Sequence, residues 1–334
     1  MNDGTNLRVA FAGAGLMSQF HLNGWSEVDA DIVAICDPVA EKAERRANEY
    51  GIPAVYTEFA RMLEDTRPDA VDIATPVDTH ADLVRIAADH GIHACSQKPV
   101  TPTVAEAESL IADVGDAIRF MVHENFRWRP HYLQMGEWLR EGRIGQITHA
   151  RMTVRSPGLA PSPDGSTPPD LIRQPYLATF KRLITFELLI HQLDVLRSLL
   201  SEFEVVSVEM DRINKDLVGE DVAIIVMRGE NGVTAVVDGS MSAPGYPARP
   251  SDRLELIGTK DTMVFDRNKL YLVGDDVPPV EHDLAANFQA CFTNAIRDFA
   301  NGVRTGEPFW TDRLDNLKSL RLMERCYEVA GIAP

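Results

Sequence analysis

Apolar and polar positions along the first third of the chain follow two alternating periods. Short apolar runs, "LRVAFA" (7–12), "DIVAICD" (31–37), "AVDIATP" (70–76) and "IHACSQKP" (92–99), read as strands. Between them, "GAGLMSQFHLNGWSEV", "PVAEKAERRANEYG" and "HADLVRIAADHG" carry the helical spacing, the second ending at Gly51. Strands that alternate with helices of this length pair in parallel through right-handed crossovers, and runs apolar on both faces are strands covered on both sides. The pattern predicts a doubly wound α/β sheet. From "QITHARMTVR" (146–155) onward the regime changes. Segments "VVSVEMD", "DVAIIVMR", "VTAVVDGSMS", "RLELIG", "TMVFD" and "KLYLV" follow one another through short turns without helices, which predicts antiparallel pairing. Two closing helices are expected, near 284–301 and 311–330. The expected division is a first domain over 1–123 and a second, α+β, over 124–334, with the C-terminal helix able to pack back on the first.

Glycines place chemistry on this frame. Gly13-Ala14-Gly15-Leu16-Met17-Ser18 follows the first strand and opens a helix, matching the dinucleotide fingerprint at its first two glycines and replacing the third with Ser18. The first glycine permits the turn, the second admits a pyrophosphate to the backbone, and the helix N-terminus offers amides and a favourable dipole. Asp37 closes the second strand 22 residues after Gly15, near the spacing that puts a carboxylate on the adenosine ribose. A carboxylate there repels a 2′-phosphate, and Pro38 and Val39 supply no cation to bind one. NAD is therefore expected over NADP, with Lys42 the nearest basic residue against it.

Together with "ATPVDTH" (74–80), "QKP" (97–99), "HENFRWRP" (123–130) and "ELLIHQLD" (187–194), these residues resemble the Gfo/Idh/MocA family of sugar and cyclitol oxidoreductases over nearly the whole chain. The resemblance implies a Rossmann domain, then a domain with an open, predominantly antiparallel sheet, a nicotinamide cofactor, an active site between the two domains, and a dimer or tetramer formed through the open sheet. It implies that Thr75, Pro76 and His80 form the turn beside the nicotinamide half, that Lys98 is the active-site lysine, and that Asn125 and Arg127 lie where cofactor and substrate meet. The family's usual Glu-Lys-Pro is here Gln97-Lys98-Pro99, so a negative charge is absent from beside the lysine; Gln97 retains an amide for a ribose hydroxyl. The usual Asp-x-x-x-His is Glu187-Leu-Leu-Ile-His191, whose spacing puts both polar side chains on one face of a mostly apolar helix. His191 is the candidate general base, Lys98 the group that holds the reacting oxygen, Glu187 the orienting carboxylate, and Asp194 structural.

The proline-rich segment 156–182 has six prolines and no clear periodicity. It suits a wall or lid of the substrate pocket, with Arg173, Gln174 and Tyr176 as its first candidates. Gln97, "MVHENFRWRP" and this insert resemble a subgroup acting on small free aldoses, so a branched pentose such as D-apiose, oxidised to its lactone, is the expected substrate. A cyclitol or hexose is the alternative, as are a sugar hydrolase or lyase with transient oxidation and a non-catalytic sugar or NAD sensor.

Charge and cysteines narrow the remaining classes. A formal net charge of −17, from 33 basic and 50 acidic residues, opposes binding to nucleic acid and anionic membranes and points to a small, neutral or locally complemented ligand, which the resemblance implies is a sugar or polyol. No stretch of 18 apolar residues suggests a membrane span, and the N-terminus lacks the pattern of an export signal. Cys36, Cys95, Cys291 and Cys326 are scattered without metal-like spacing, which predicts buried thiols in a reducing, cytoplasmic compartment. His80, His90, His93, His123, Glu124 and His131 form no metal-binding pattern; none is expected to hold a metal, and most are expected at exposed or capping positions.

Overall fold

The computed structural model describes residues 6–247 and 251–332. The chain divides into two compact units, Met1–Trp128 with Phe288–Lys318, and Arg129–Asn287 with Ser319–Pro334.

In the first unit, strands β1 (Leu7–Ala12), β2 (Ala30–Cys36), β3 (Val55–Tyr56), β4 (Ala70–Ile73), β5 (His93–Gln97) and β6 (Phe120–His123) form one sheet in the order β3-β2-β1-β4-β5-β6. Every pairing is parallel. Helices α1 (Ser18–Trp25), α2 (Ala40–Tyr50), α3 (Phe59–Thr66), α4 (Val77–Asp89) and α5 (Val104–Val114) make the crossovers. Strand order reverses at β1 and β4, the switch point where ligands of doubly wound sheets bind beyond the strand carboxyl ends. The core joins Val9, Phe11 and Ile35 of the sheet to Leu22 and Trp25 of α1 and to Ala295, Ile296 and Phe299 near the C-terminus. Full burial of each large side chain contributes roughly 1.5–3 kcal/mol.

The sequence pattern did not predict β3, α3 or α5. The first two are short. The start of α5, however, was legible: Thr103 accepts from Glu106 N–H while Glu106 returns a bond to Thr103 N–H, a capping box.

The second unit starts with α6 (Pro130–Arg140) and β7 (Ile147–Arg155), followed by α7 (Pro169–Arg173) and α8 (Ile190–Leu199). Its remaining strands are β8 (Phe203–Asp211), β9 (Val222–Gly229), β10 (Thr234–Ser240), β11 (Ser251–Gly258), β12 (Thr262–Asp266), β13 (Lys269–Leu272) and β14 (Val280–Glu281), and the sheet order is β14-β13-β12-β11-β7-β10-β9-β8. Pairing is antiparallel except between β7 and β10. The long connection between those two strands, which contains α8, permits the parallel exception. Along β9 and β10, Ala223, Ile225, Met227, Ala235 and Val237 face the interior, whereas Ile224 is exposed and Val226 and Val236 are half-buried. Val206 and Ile257 are also exposed on this sheet. Two long helices, α9 (Leu284–Thr305) and α10 (Arg313–Val329), close the chain.

Candidate active site

The glycine turn is built by close approach. Gly13 has φ +100°, and a Cβ on it would lie 2.4 Å from the carbonyl oxygen of Ala74 at the exit of β4. Gly15 differs, because a Cβ there would meet no heavy atom within 4 Å. Helix α1 then begins at Ser18 with no side-chain cap on its N-terminal amides. Open space over Gly15, exposed Leu16 and uncapped amides are what a pyrophosphate needs. Asp37, at the end of β2, accepts from Ala14 N–H at 2.8 Å and from Val39 N–H at 2.9 Å. These bonds fix its carboxylate beside the turn, and each oxygen keeps a lone pair for a ribose hydroxyl. The residues fit a dinucleotide.

Arg46 was missed by sequence reasoning. Buried on α2, it donates from Nε to Ser18 Oγ (3.0 Å) and from Nη2 to Gly15 O (3.3 Å), while Ser18 Oγ–H donates to Gly15 O (2.7 Å). The serine that replaces the third glycine thus ties the turn to α2. The usable signal was Arg46 itself, a basic residue at the helix position that Ala43 and Ala47 share as a buried face.

Beyond β4 and β5, two turns are bracketed by one ring. His80 is buried, with Nδ1 2.9 Å from Pro99 O and Nε2 2.9 Å from Thr75 O. Burial pushes its pKa down despite the carbonyls facing it. His80 therefore joins the turn after β4 to the Lys98-Pro99 turn, whose peptide bond is cis. Pro76 is exposed, and Thr75 and Lys98 are half-buried. Lys98 stands on the same carboxyl edge of the sheet as the glycine turn.

Beneath Lys98 lies a buried polar cluster. Gln97 Oε1 accepts from Lys98 N–H at 2.7 Å, and Gln97 Nε2 is 2.9 Å from His21 Nε2. His21 Nδ1 is 2.9 Å from Asp72 Oδ2, which also accepts from Trp25 Nε1–H at 2.7 Å. Burial alone would raise the Asp72 carboxyl; the His21 ring and the Trp25 donor outweigh it and hold the pKa below its ordinary value. His123 stacks 4.2 Å from His21, and burial pushes it down to about 3. The expectation that most of the histidines and Glu124 sit at exposed or capping positions is therefore overturned. His80, His123, Glu124 and His131 are buried and His93 is half-buried, so of this group His90 alone is exposed. These rings fill space within their units: His131 lies flat on Phe265 at 4.0 Å, and the His123 ring is 5.3 Å from Phe292. Among the described residues no three His, Cys, Asp or Glu side chains converge as a metal site.

Asn125 is buried and donates to Cys291 Sγ at 3.1 Å. Arg127 is also buried, pairing with Asp315 at 2.8 Å and donating to Trp310 O at 3.0 Å. Both side chains brace the strand exit they follow.

In the second unit the helix carrying Glu187 and His191 departs from its expected regularity. Thr185–Leu189 form a π-helical turn, and α8 starts at Ile190. The i→i+5 closure widens the turn, so four residues fall short of a full revolution instead of passing it, and Glu187 and His191 still share a face. The turn packs close to the sheet: a Cβ on Gly239 of β10 would lie 2.8 Å from Leu189. His191 is buried and Glu187 half-buried. Asp194, fully buried, accepts from Ser319 Oγ–H at 2.6 Å and lies 3.6 Å from Arg197, as a structural residue would.

The proline-rich insert is pinned to this framework. Asp170 N–H donates to Gly158 O, Leu159 N–H to Met241 O, and Asn214 Nδ2–H to Leu159 O. It carries α7 and a 3-10 turn over Pro175–Thr179. Tyr176 is 48% exposed, and its hydroxyl accepts from Gln174 Nε2. Burial of its hydroxyl end, then the negative charge of Glu187, push the phenol up to about 12. The same phenol senses Arg173, half of which is exposed. Arg173 and Glu187 thus both lie within electrostatic range of Tyr176.

Comparison with known proteins agrees with this geometry. Residues 7–119 match the model of an oxidoreductase family with an NAD-binding Rossmann fold, GFO/IDH/MocA, and residues 132–264 match the C-terminal domain of that family. A D-apiose dehydrogenase of Paraburkholderia graminis is 34% identical over 95% of this chain and 86% of its own, and one of Rhizobium rhizogenes is 31% identical over 98% and 96%. An oxidoreductase from Agrobacterium radiobacter, crystallised with NAD+, L-tartaric acid and magnesium, superimposes with a TM-score of 0.88 at 30% identity, covering 98% of this chain and 97% of that one.

Proposed function

We infer from its membership of the GFO/IDH/MocA family of NAD-binding oxidoreductases, to which this chain belongs, that it is a sugar dehydrogenase oxidising a small free aldose, D-apiose foremost, to its lactone. The observation that carries this reading is the placement of Lys98 on the carboxyl edge of the sheet that holds the open-faced Gly15 turn, in a chain 34% identical to a D-apiose dehydrogenase over most of its length.

NAD, when bound, supplies the hydride acceptor, and the chain aligns the substrate and takes the hydroxyl proton. Backbone amides at the Gly15–Met17 end of the turn hold the pyrophosphate, and Asp37, fixed by Ala14 N–H, holds the adenosine ribose. Thr75 and Pro76, bracketed by His80, shape the nicotinamide half, and the Gln97 amide supports that region from beneath by holding the Lys98 backbone. Lys98 donates to the reacting oxygen. His191 takes the hydroxyl proton as the carbon loses its hydride and the carbonyl forms, because imidazole accepts protons near neutral pH. Glu187 orients that imidazole or binds a neighbouring hydroxyl. Arg173 and Tyr176 form the wall that reads the sugar, and Asn125 and Arg127 brace the exit of β6.

The reading extends to assembly and compartment. The half-exposed apolar face bearing Val206, Ile224 and Ile257 joins copies of the chain into a dimer or tetramer. Four buried cysteine thiols suit the reducing cytoplasm. Among the described residues no helix is long and apolar enough to cross a membrane. A panel of aldoses and cyclitols with NAD and NADP tests the reaction: NADH accumulation with D-apiose supports it. A cyclitol as the sole substrate overturns the aldose assignment, and product formation without net NADH points to transient oxidation instead.

A further inference from the structure

The buried cluster under Lys98 has a direction, and Gln97 sets it. Gln97 Oε1 faces the Lys98 amide N–H at 2.7 Å, and an N–H needs an oxygen, so the amide cannot be turned round without orphaning that donor. Its other end is then an NH2 group 2.9 Å from His21 Nε2. A donor facing Nε2 requires a lone pair there, so the ring proton lies on Nδ1, 2.9 Å from Asp72 Oδ2. All four residues are in place within fixed elements: Asp72 at the centre of β4, His21 in α1, Gln97 closing β5 and Lys98 next to it.

We propose that His21 is a positioning residue of the dehydrogenase site: as a neutral Nδ1–H imidazole it anchors Gln97, and through Gln97 the backbone of Lys98, onto the buried Asp72 carboxylate. The inference rests on the proposed reaction only in naming what Lys98 is positioned for. It also explains the amide at position 97 in physical terms. A carboxylate there could still accept from Lys98 N–H, but its second oxygen would face the lone pair of His21, so the ring would have to take up a proton and sit between two carboxylates. Gln97 and a neutral His21 are one choice.

The groups facing His21 are Asp72 from β4, Gln97 from β5, His123 from the end of β6, and the rings of Phe11 and Phe292, while Trp25 and Cys95 bear on the Asp72 carboxylate. Burial keeps both Cys95 and His123 uncharged at neutral pH. Among the described residues Asp72 is the carboxylate seen in contact with the ring, and Gln97→Glu would add a second.

The test uses the full chain labelled with 15N-histidine, the His21 signals being assigned by their loss in His21→Asn. Near neutral pH, wild-type His21 is expected to show a protonated Nδ1 and a pyridine-like Nε2, and Gln97→Glu to show both nitrogens protonated. An Nε2–H tautomer or an imidazolium in the wild type overturns the proposal, and does so whether or not Gln97→Glu folds. A neutral His21 in folded Gln97→Glu also overturns it. The positioning role has its own readout. The pH profile of sugar oxidation in Gln97→Glu is expected to be displaced from that of the wild type; superimposable profiles refute that role. Because the spectrum needs no turnover, a wild type that oxidises no sugar would defeat the proposed reaction and leave the His21 result standing.

Discussion

Gly13 and Gly15 separate folding from cofactor binding within three residues. At Gly15 an added Cβ meets nothing within 4 Å and the backbone is not left-handed, so Gly15→Ala leaves stability unchanged or raises it by about 0.4–1 kcal/mol through the unfolded chain. The same methyl fills the space a pyrophosphate must enter to reach the amides of α1. Loss of one hydrogen bond to a charged group costs about 1.5–3 kcal/mol, or roughly 10- to 150-fold in Kd for NAD. At Gly13, φ is +100° and the Cβ would lie 2.4 Å from Ala74 O, so Gly13→Ala costs at least about 2 kcal/mol of stability. Calorimetric titration with NAD and urea denaturation of both variants form the assay. An unchanged Kd in Gly15→Ala refutes the placement of the pyrophosphate. An unchanged stability in Gly13→Ala refutes the close approach of the β1 and β4 exits.

Other consequences are as direct. Arg46→Ala frees Ser18 and Gly15 O from α2 and is expected to weaken NAD binding about 5- to 10-fold, one lost hydrogen bond's worth, measured by the same titration. Thr103→Ala removes one side of the capping box and is expected to cost about 1 kcal/mol in urea denaturation with NAD affinity unchanged. His123 titrates at about 3 in the fold against an ordinary 6.5, so below 6.5 the unfolded chain binds a proton that the folded chain does not. Its contribution is fully present above about pH 6.5 and falls as pH drops toward 3, by about 2 kcal/mol at pH 5. Buried His80 and His131 act in the same direction. Urea denaturation at pH 7 and pH 5 checks this, with His123→Gln reducing the difference by about 2 kcal/mol.

The sheet in the first unit was legible because its strands are short apolar runs separated by helical spacing, and the glycine turn because Gly13 and Gly15 have backbone roles no other residue fills. Lys98, Glu187 and His191 are the candidates that motif resemblance offers, and the proposed reaction rests on them. What escaped was long-range. Asp72 reads as one polar letter in "AVDIATP", yet a carboxylate in a strand buried on both faces must have partners, and that is the signal pointing to His21 and Trp25. Nothing in the helical period around Glu187 announces the π-turn, which is packed against Gly239 from a strand fifty residues later. Arg127 and Asn125 have the residue types of a ligand site, and their burial against Asp315, Trp310 and Cys291 depends on a C-terminal segment that local pattern cannot bring near.

Lys98 and His191 are proposed to carry sugar oxidation on an NAD-binding scaffold. The most direct measurement is NADH formation from D-apiose by the wild type, Lys98→Ala and His191→Ala, with NAD binding measured on each. The account predicts turnover in the wild type and loss of at least about 100-fold in each variant, the usual share of a positioned acid or base, with NAD affinity within a few-fold of wild type. Near-normal turnover in both variants would contradict it.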